Sequence, residues 1–477
     1  MPVRFEWNGR QVELLEVDPH TTLLTWLRAS GATGAKEGCA EGECGACAVA
    51  VVEQDAFGRK CFAPINSCLV PLPALHGRTL ISVEGIAAAS GELHPVQRAL
   101  VEQGGSQCGY CTPGFAVSLF CEYYRPERVG YDPQAISGNL CRCTGYRPIA
   151  DAARALSASC AADGDPHLIT LAHSDPRSTA CHAGAGPLRY LRPTSLPELF
   201  SLWRAHPEAT LIAGGTDLMV YANQQGRRFQ TLLALDALPE LREMEVGERE
   251  INLGAGTPLA HLEQWLARGA GAQLVGFTQL LPLFSSRLIR LRATLGGSLA
   301  TASPIGDAAP LLLALGAALS LASAAGTRRL PLGEFFAGYR AHALAPGELI
   351  TQVHVPRPTP RWQRFYKVSK RVLDDISSVA AAFVLDLDEA GRVTRFAAAY
   401  GGIAPTPLLA PGVEQLALGR RWDADTVALL CKALTGLGSP LSDQRASAGY
   451  RAALVPRLLS KFFHDTSQPA QRPEVGA

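Results

Sequence analysis

Cys39-Ala40-Glu41-Gly42-Glu43-Cys44-Gly45-Ala46-Cys47 sets three thiols at C-x4-C-x2-C spacing, with Gly38 just before and Cys68 further on. This is the ligand spacing of a plant-type [2Fe-2S] cluster. A loop wrapping such a cluster takes positive-φ turns and brings backbone N–H groups up to sulfide, and glycine allows both because it has no Cβ. A zinc knot is the competing reading. Zinc favours paired C-x2-C knuckles that close a tetrahedron, and this run fits that template poorly. Cys39, Cys44, Cys47 and Cys68 are therefore the expected ligands.

Around this loop, residues 3 to 7 and 11 to 17 alternate about Asn8-Gly9, a hairpin signal. Thr21 or Thr22 opens a helix carrying Leu23, Leu24 and Leu27 on one face. Ala48 to Val52 reads as a strand, and Thr79 to Glu84 as another that closes a small mixed sheet. The expectation is a ferredoxin-like β-grasp domain over 1–86.

The texture then turns helical over 87–157. His94 to Gln103 is one helix, and a second begins at Thr112-Pro113, with threonine as N-cap and proline at the first helical position. Just ahead of it stands Cys108-Gly109-Tyr110-Cys111. Cys141-Arg142-Cys143 precedes a further helix, Ile149 to Leu156. The positive end of a helix suits a net-anionic iron-sulfur-thiolate cluster. A C-x2-C closed by C-x-C is unusual for zinc, so Cys108, Cys111, Cys141 and Cys143 are expected to hold a second [2Fe-2S] cluster in a helical bundle.

Here a specific resemblance emerges. Gln107-Cys108-Gly109-Tyr110-Cys111-Thr112-Pro113-Gly114 and Gly138-Asn139-Leu140-Cys141-Arg142-Cys143-Thr144-Gly145-Tyr146 resemble the iron-sulfur segment of the xanthine oxidase family of molybdenum hydroxylases. The resemblance implies that the bundle cluster lies nearest the molybdopterin and that Gln107 touches the pterin.

Residues 158–186, rich in Ala, Ser, Asp, Gly and Pro, read as an exposed linker in which Cys160 and Cys181 are loose thiols. Beyond it, a helix runs from Ser195 to His206, and the strand Thr210 to Ala213 enters Gly214-Gly215-Thr216-Asp217. A strand ending in two glycines exposes N–H groups able to cradle a pyrophosphate, although a generic turn looks the same. A second such turn stands at Gly296-Gly297-Ser298, in the run Thr294 to Asp307, whose carboxylate can accept from ribityl or sugar hydroxyls. Gly254-Ala255-Gly256-Thr257-Pro258-Leu259 puts leucine at the third glycine position and is rejected as a dinucleotide fingerprint.

Both Gly-Gly turns match, in order and register, the flavin-domain motifs of the same family. The resemblance implies an α+β FAD-binding domain over 187–357. It points to FAD contacts from Leu211, Ile212, Ala213, Gly214, Gly215, Thr216, Asp217 and Leu218, then from Thr294, Gly296, Gly297, Ser298, Thr301, Ser303 and Asp307. By the same resemblance Phe284 sits against the isoalloxazine ring, Ile350 beside it, and Lys367 with Asp374 near the flavin edge. From residues alone Phe284 is equally a core aromatic and Lys367 with Asp374 a solvated ion pair, while register leaves Tyr366 as a rival to Lys367.

After the proline-rich 356–360, strands at 377–387 and 393–400 and helices at 424–434 and 448–463 suggest a C-terminal α/β sandwich domain over 361–465, followed by a disordered tail over 466–477. The uncharged run Ala308 to Ala325 is interrupted by Pro310 and Gly316. It reads as a buried helix after Asp307 that turns at Gly316 into a strand, not as a membrane span. The fold class is thus α+β multidomain.

The 44 basic and 43 acidic residues leave a net charge of +1, which suggests no nucleic-acid partner. Eight of the thirteen cysteines stand at ligand spacings, and behind an N-terminus without an apolar leader they point to metal chemistry in a reducing compartment, hence the cytoplasm. No Ser/His/Asp or Cys/His catalytic arrangement is apparent, so no catalytic residue is assigned.

The resemblance implies an electron-transfer small subunit. A molybdopterin-binding large subunit, two copies of each chain per assembly, would hydroxylate hypoxanthine or xanthine. Electrons would pass through the bundle cluster, the ferredoxin-type cluster and FAD to NAD+. A related hydroxylase acting on an aldehyde or N-heterocycle is the first alternative, and a zinc-stabilised interaction protein the second.

Overall fold

The computed structural model describes residues 1–88, 90–269 and 271–467. The chain forms two compact units. The first comprises Met1–Leu241, Gly256–Trp265 and Ser285–Thr294, and the second Arg242–Ala255, Leu266–Phe284 and the chain from Leu295 on.

In the first unit, Val3–Trp7 and Arg10–Leu14 pair as a hairpin about Asn8 (φ 49°) and Gly9 (φ 75°). These join a five-stranded mixed sheet with Thr79–Ile81 beside Val3–Trp7, then Ala48–Gln54 and Lys60–Asn66 at the far edge. The crossing helix Leu23–Ala29 is N-capped by Thr22, whose hydroxyl accepts from Thr25 N–H at 3.1 Å. Leu23, Leu24 and Leu27 face the core as expected.

The helical part contains Pro95–Glu102, Thr112–Tyr123 and Arg147–Ala155. Thr112 is not the N-cap of the second helix. That position is Cys111, and the Thr112 hydroxyl instead donates to Ser106 Oγ at 2.8 Å.

Residues 158–186 are largely exposed, Cys160 among them, but they are not without structure. They contain the helix Pro166–His173 and the strand Cys181–Ala185, and Cys181 is fully buried. That strand begins a four-stranded sheet continued by Leu188–Arg192, Thr231–Ala234 and Thr210–Ile212. One apolar core runs through both sheets of the first unit: Phe5, Val49, Val51, Leu72 and Leu80 share a cluster with Cys181, Tyr190, Ile212, Met219 and Leu232. Each fully buried aliphatic side chain there contributes about 1.5–3 kcal/mol. The two sheets are therefore held together by the same force that holds each one.

The second unit carries an antiparallel five-stranded sheet, ordered Met244–Val246, Glu250–Gly254, Leu349–Pro356, Ala318–Ser323, Gly326–Pro331. A four-stranded antiparallel sheet follows in the order Trp362–Val368, Val379–Leu387, Val393–Gly401, Leu408–Leu409. Helices Ala424–Leu434 and Ala448–Ser467 supply Leu430, Leu434, Leu459 and Phe462 to its core. The run after Asp307 behaves as its proline and glycine dictate: a buried helix Ala308–Ala314, Gly316 at φ 71°, then the strand Ala318–Ser323. Among the described residues no helix is long and apolar enough to cross a membrane. Of the expected tail, Thr466 and Ser467 end the last helix and the remainder lies outside the described residues.

Candidate iron-sulfur and flavin sites

Cys39, Cys44, Cys47 and Cys68 lie close enough to shift one another's titration, and so do Cys108, Cys111, Cys141 and Cys143. The eight predicted cysteines thus fall into two quartets. Cys39 is pushed down to about 5, first by the Cys44 thiol and then by N–H groups of Glu41, Cys44 and Glu43 that outweigh burial. Cys111 is pushed up to about 12, first by burial.

Four cysteine sulfurs per quartet is the ligand complement of one [2Fe-2S] cluster.

The loops are shaped for an anionic guest. Cys44 N–H points at the Cys39 sulfur (3.4 Å) and Thr144 N–H at the Cys141 sulfur (3.4 Å). Ala40 at φ 55° and Tyr146 at φ 68° are strained non-glycine positions, one in each loop. A Cβ on Gly38 would stand 2.8 Å from the Cys44 sulfur, so glycine is required there by space. Asn66 fixes the first loop by donating to Gly42 O at 2.8 Å. Tyr146 fixes the second, its hydroxyl accepting from Cys141 N–H at 3.0 Å.

The two loops touch each other. Leu140 N–H donates to Cys44 O at 3.0 Å, and Asn139 Nδ2 to Gly45 O at 3.1 Å. Tyr110, next to Cys111, donates its hydroxyl to Glu37 O at 2.5 Å. Gly45, at φ 64°, packs so closely on Gly138 O that no side chain fits. Asn66, Asn139 and Tyr110 were not identifiable as supporting groups from spacing, because each acts on a main-chain carbonyl of a segment distant in sequence.

Of the residues expected at a flavin, Leu211 to Leu218 and Thr294 lie in the first unit. Gly214 is pressed against Arg292 O where a Cβ cannot fit, and Gly215, at φ 78°, takes the positive-φ turn leading into the helix Leu218–Gln225. Phe284, Gly296, Gly297, Ser298, Thr301, Ser303, Asp307, Ile350 and Lys367 lie in the second. Gly296 opens the helix Leu295–Ala300, and a Cβ there would stand 2.7 Å from Ala255 Cβ. Gly297 O accepts both the N–H and the hydroxyl of Thr301 at 3.0 Å, and Ile350 is buried in the strand Leu349–Pro356.

Lys367 does not pair with Asp374. Its ammonium donates to Asp307 Oδ2 at 2.8 Å and Leu283 O at 2.9 Å, while Ser377 donates to Asp307 Oδ1 at 2.5 Å. Lys367 and Asp307 are both nearly buried, so the reading as a solvated pair fails. Tyr366, its neighbour on the strand, donates instead to Asp465 at 2.8 Å.

The sequence matches four known domains in tandem: a 2Fe-2S iron-sulfur cluster binding domain over residues 5–72, a [2Fe-2S] binding domain over 82–154, the FAD binding domain in molybdopterin dehydrogenase over 186–358, and the CO dehydrogenase flavoprotein C-terminal domain over 364–466. The chain belongs to the molybdenum hydroxylase family. Within that family it is 32% identical to xanthine dehydrogenase of Emericella nidulans over 97% of its own length, and 31% identical to aldehyde oxidase 2 of Cavia porcellus over 96%. It spans 38% and 39% of those two proteins respectively. Among solved structures, a chain of CO dehydrogenase from Oligotropha carboxidovorans superposes with a TM-score of 0.54 at 26% identity, covering 58% of this chain and 96% of that one. This family's iron-sulfur and FAD domains thus account for nearly the whole chain.

Proposed function

We propose that the chain is the electron-transfer half of a xanthine dehydrogenase, working with a molybdopterin-binding partner that hydroxylates hypoxanthine or xanthine. When bound, the two [2Fe-2S] clusters supply one-electron transfer, and FAD collects two electrons for delivery to NAD+. Cys39, Cys44, Cys47 and Cys68 would hold the first cluster, and Cys108, Cys111, Cys141 and Cys143 the second. FAD contacts are assigned to the Gly214-Gly215 turn in the first unit and, within the second, to Gly296-Gly297, Phe284, Ile350 and Lys367.

The observation that carries this reading is the contact between the cysteine loops, where Leu140 N–H meets Cys44 O at 3.0 Å. It joins a residue adjacent to a ligand of one quartet directly to a ligand of the other. The second quartet also opens outward: Gln107, Cys108, Tyr110, Leu140, Cys143 and Tyr146 are exposed, as a surface meeting an electron-donating partner must be. Assembly with two copies of each chain, in the cytoplasm, belongs to the same proposal.

The similarity to an aldehyde oxidase and to quinoline 2-oxidoreductase from Pseudomonas putida 86 favours one alternative, in which the partner oxidises an aldehyde or an N-heterocycle. Purification from the native source, followed by assay with xanthine, aldehydes and N-heterocycles against NAD+, distinguishes these readings. Copurified molybdenum with NAD+-dependent xanthine turnover is the expected result; a colourless, zinc-loaded chain without a partner would remove every redox reading.

A further inference from the structure

The helix Leu218–Gln225 begins at the Gly214–Gly215 turn, Met219 N–H bonding to Gly215 O at 3.0 Å, and ends on the first cysteine loop. In its last turn, Asn223 Nδ2 donates to Cys68 O at 2.8 Å and to Ala40 O at 2.9 Å, and Gln224 Nε2 donates to Cys39 O at 2.7 Å. Near the other end of the helix, the space over Gly215 is bounded by Leu69 O, the residue after Cys68. One short helix is therefore anchored at its start by the turn proposed to cradle FAD and at its end by carbonyls of Cys39 and Cys68, two of the proposed cluster ligands.

The sign of these contacts matters. The last turn of a helix presents carbonyls and partial negative charge, which is unfavourable beside an anionic cluster. Asn223 and Gln224 reverse this locally by placing amide N–H groups, the positive ends of their dipoles, on the carbonyls of Cys39, Ala40 and Cys68. Positive dipole ends directed at a cluster's peptide shell favour the reduced, more negative state. Both residues are exposed. Their burial in a core therefore does not account for the three bonds.

We propose that Asn223 and Gln224 are positioning residues for the ferredoxin-type cluster: they hold its loop against the helix that starts at the flavin turn and raise the cluster's reduction potential. The inference rests on the electron-transfer reading above. It assigns a role to two residues outside both the cysteine motifs and the Gly-Gly motifs.

The test is an anaerobic redox titration of the purified complex, followed by electron paramagnetic resonance, comparing the natural protein with Asn223→Ala/Gln224→Ala. The expected result is unchanged iron and FAD content, with one of the two [2Fe-2S] signals shifted. At the potential where that centre is half-reduced in the natural protein, its reduced-to-oxidised ratio should fall about three- to tenfold, the range for losing a few weak hydrogen bonds. The other signal should not move. Asn223→Asp, which keeps the size but replaces the donor by an acceptor, should shift the same centre in the same direction.

If the double variant loses iron, Gln224→Ala, which retains both Asn223 bonds, carries the test and should give a smaller shift of the same sign. Unmoved midpoints in a protein holding four irons and one FAD would overturn the inference and leave the electron-transfer reading intact. A natural protein without iron or flavin would overturn that reading itself.

Discussion

The two cysteine quartets bind through the same four-sulfur chemistry but sit in opposite surroundings. Cys47 and Cys68 are 2% exposed, packed among Val49, Leu69 and Leu72 in the core shared by two sheets. Cys108 and Cys143 lie at the surface on a rim of exposed residues. The first quartet thus has no exposed member, while the second keeps Cys111 and Cys141 against the helical core and turns Cys108 and Cys143 to solvent. A relay needs both kinds: an inner station whose geometry is fixed by packing, and an outer one that a second protein can approach.

Serine substitutions test this difference most severely. Cys143→Ser, at an exposed member of the second quartet, should abolish one of two paramagnetic centres while leaving FAD content and thermal stability nearly unchanged. Cys47→Ser should abolish the other centre and also lower the melting temperature, because its side chain belongs to the core. Equal stability loss in both variants would erase the distinction between the inner and the outer station.

Gly45→Ala attacks the seam between the quartets. It places a methyl group against Gly138 O at a residue with φ 64°. Strain and overpacking together should cost about 2–4 kcal/mol, measured by denaturant unfolding, and should broaden both paramagnetic signals.

Acid should separate the two regions next. His94 caps the helix Pro95–Glu102 of the second region, and its ring is hydrogen-bonded to the Tyr124 hydroxyl at 2.9 Å. Burial, then the neighbouring His167, hold it down to about 4 from 6.5. Unfolded chains take up that proton near pH 6.5 and the folded protein only near pH 4, so the stability of the neutral ring is complete above 6.5 and drains away as pH falls toward 4. Allowing for its residual exposure, roughly 2 kcal/mol is at stake. Amide protection factors in the helices 95–102 and 112–123 should fall between pH 6.5 and 4 before those of the strands 48–54 and 60–66, and His94→Gln should flatten the dependence.

The smallest effect concerns access. In metal-free chain, iodoacetamide should modify Cys108 at least about tenfold faster than Cys68, since thiolate character and exposure set the rate. The Cys108 thiol is lowered, first by the Tyr110 N–H, whereas Cys68 is raised well above its ordinary value by Cys47 and burial. Mass spectrometry of a time course reads the order.

What could be read from the sequence follows a physical rule. Ligand cysteines, the Asn8-Gly9 hairpin and the helix–glycine–strand run from Ala308 were legible because each depends on neighbours in the chain. The partner of Lys367 was not: Asp374 is nearer in sequence, but Asp307, 60 residues away, receives the ammonium because the sheet brings it there. Residues 158–186 misled for the opposite reason. Their composition is that of a linker, and their order comes from distant arginines: Arg192, buried, donates to Thr179 O at 2.6 Å as well as to Ala74 O and His76 O, and Arg78 holds Pro176 O and Ser178. Asn223 and Gln224 carry no signal of their own, because an amide clamp on a main-chain carbonyl needs no particular spacing.

That stitched segment has a practical consequence. Gly164 stands in an exposed turn ahead of the helix Pro166–His173, a natural place for a protease to clip. A break there would not release two independent pieces, because the strand Cys181–Ala185 and the hairpin Val3–Leu14 help to fill one apolar interior. The nicked protein would travel as a single particle through gel filtration and fall into fragments only in denaturant, two polypeptides folded as one body.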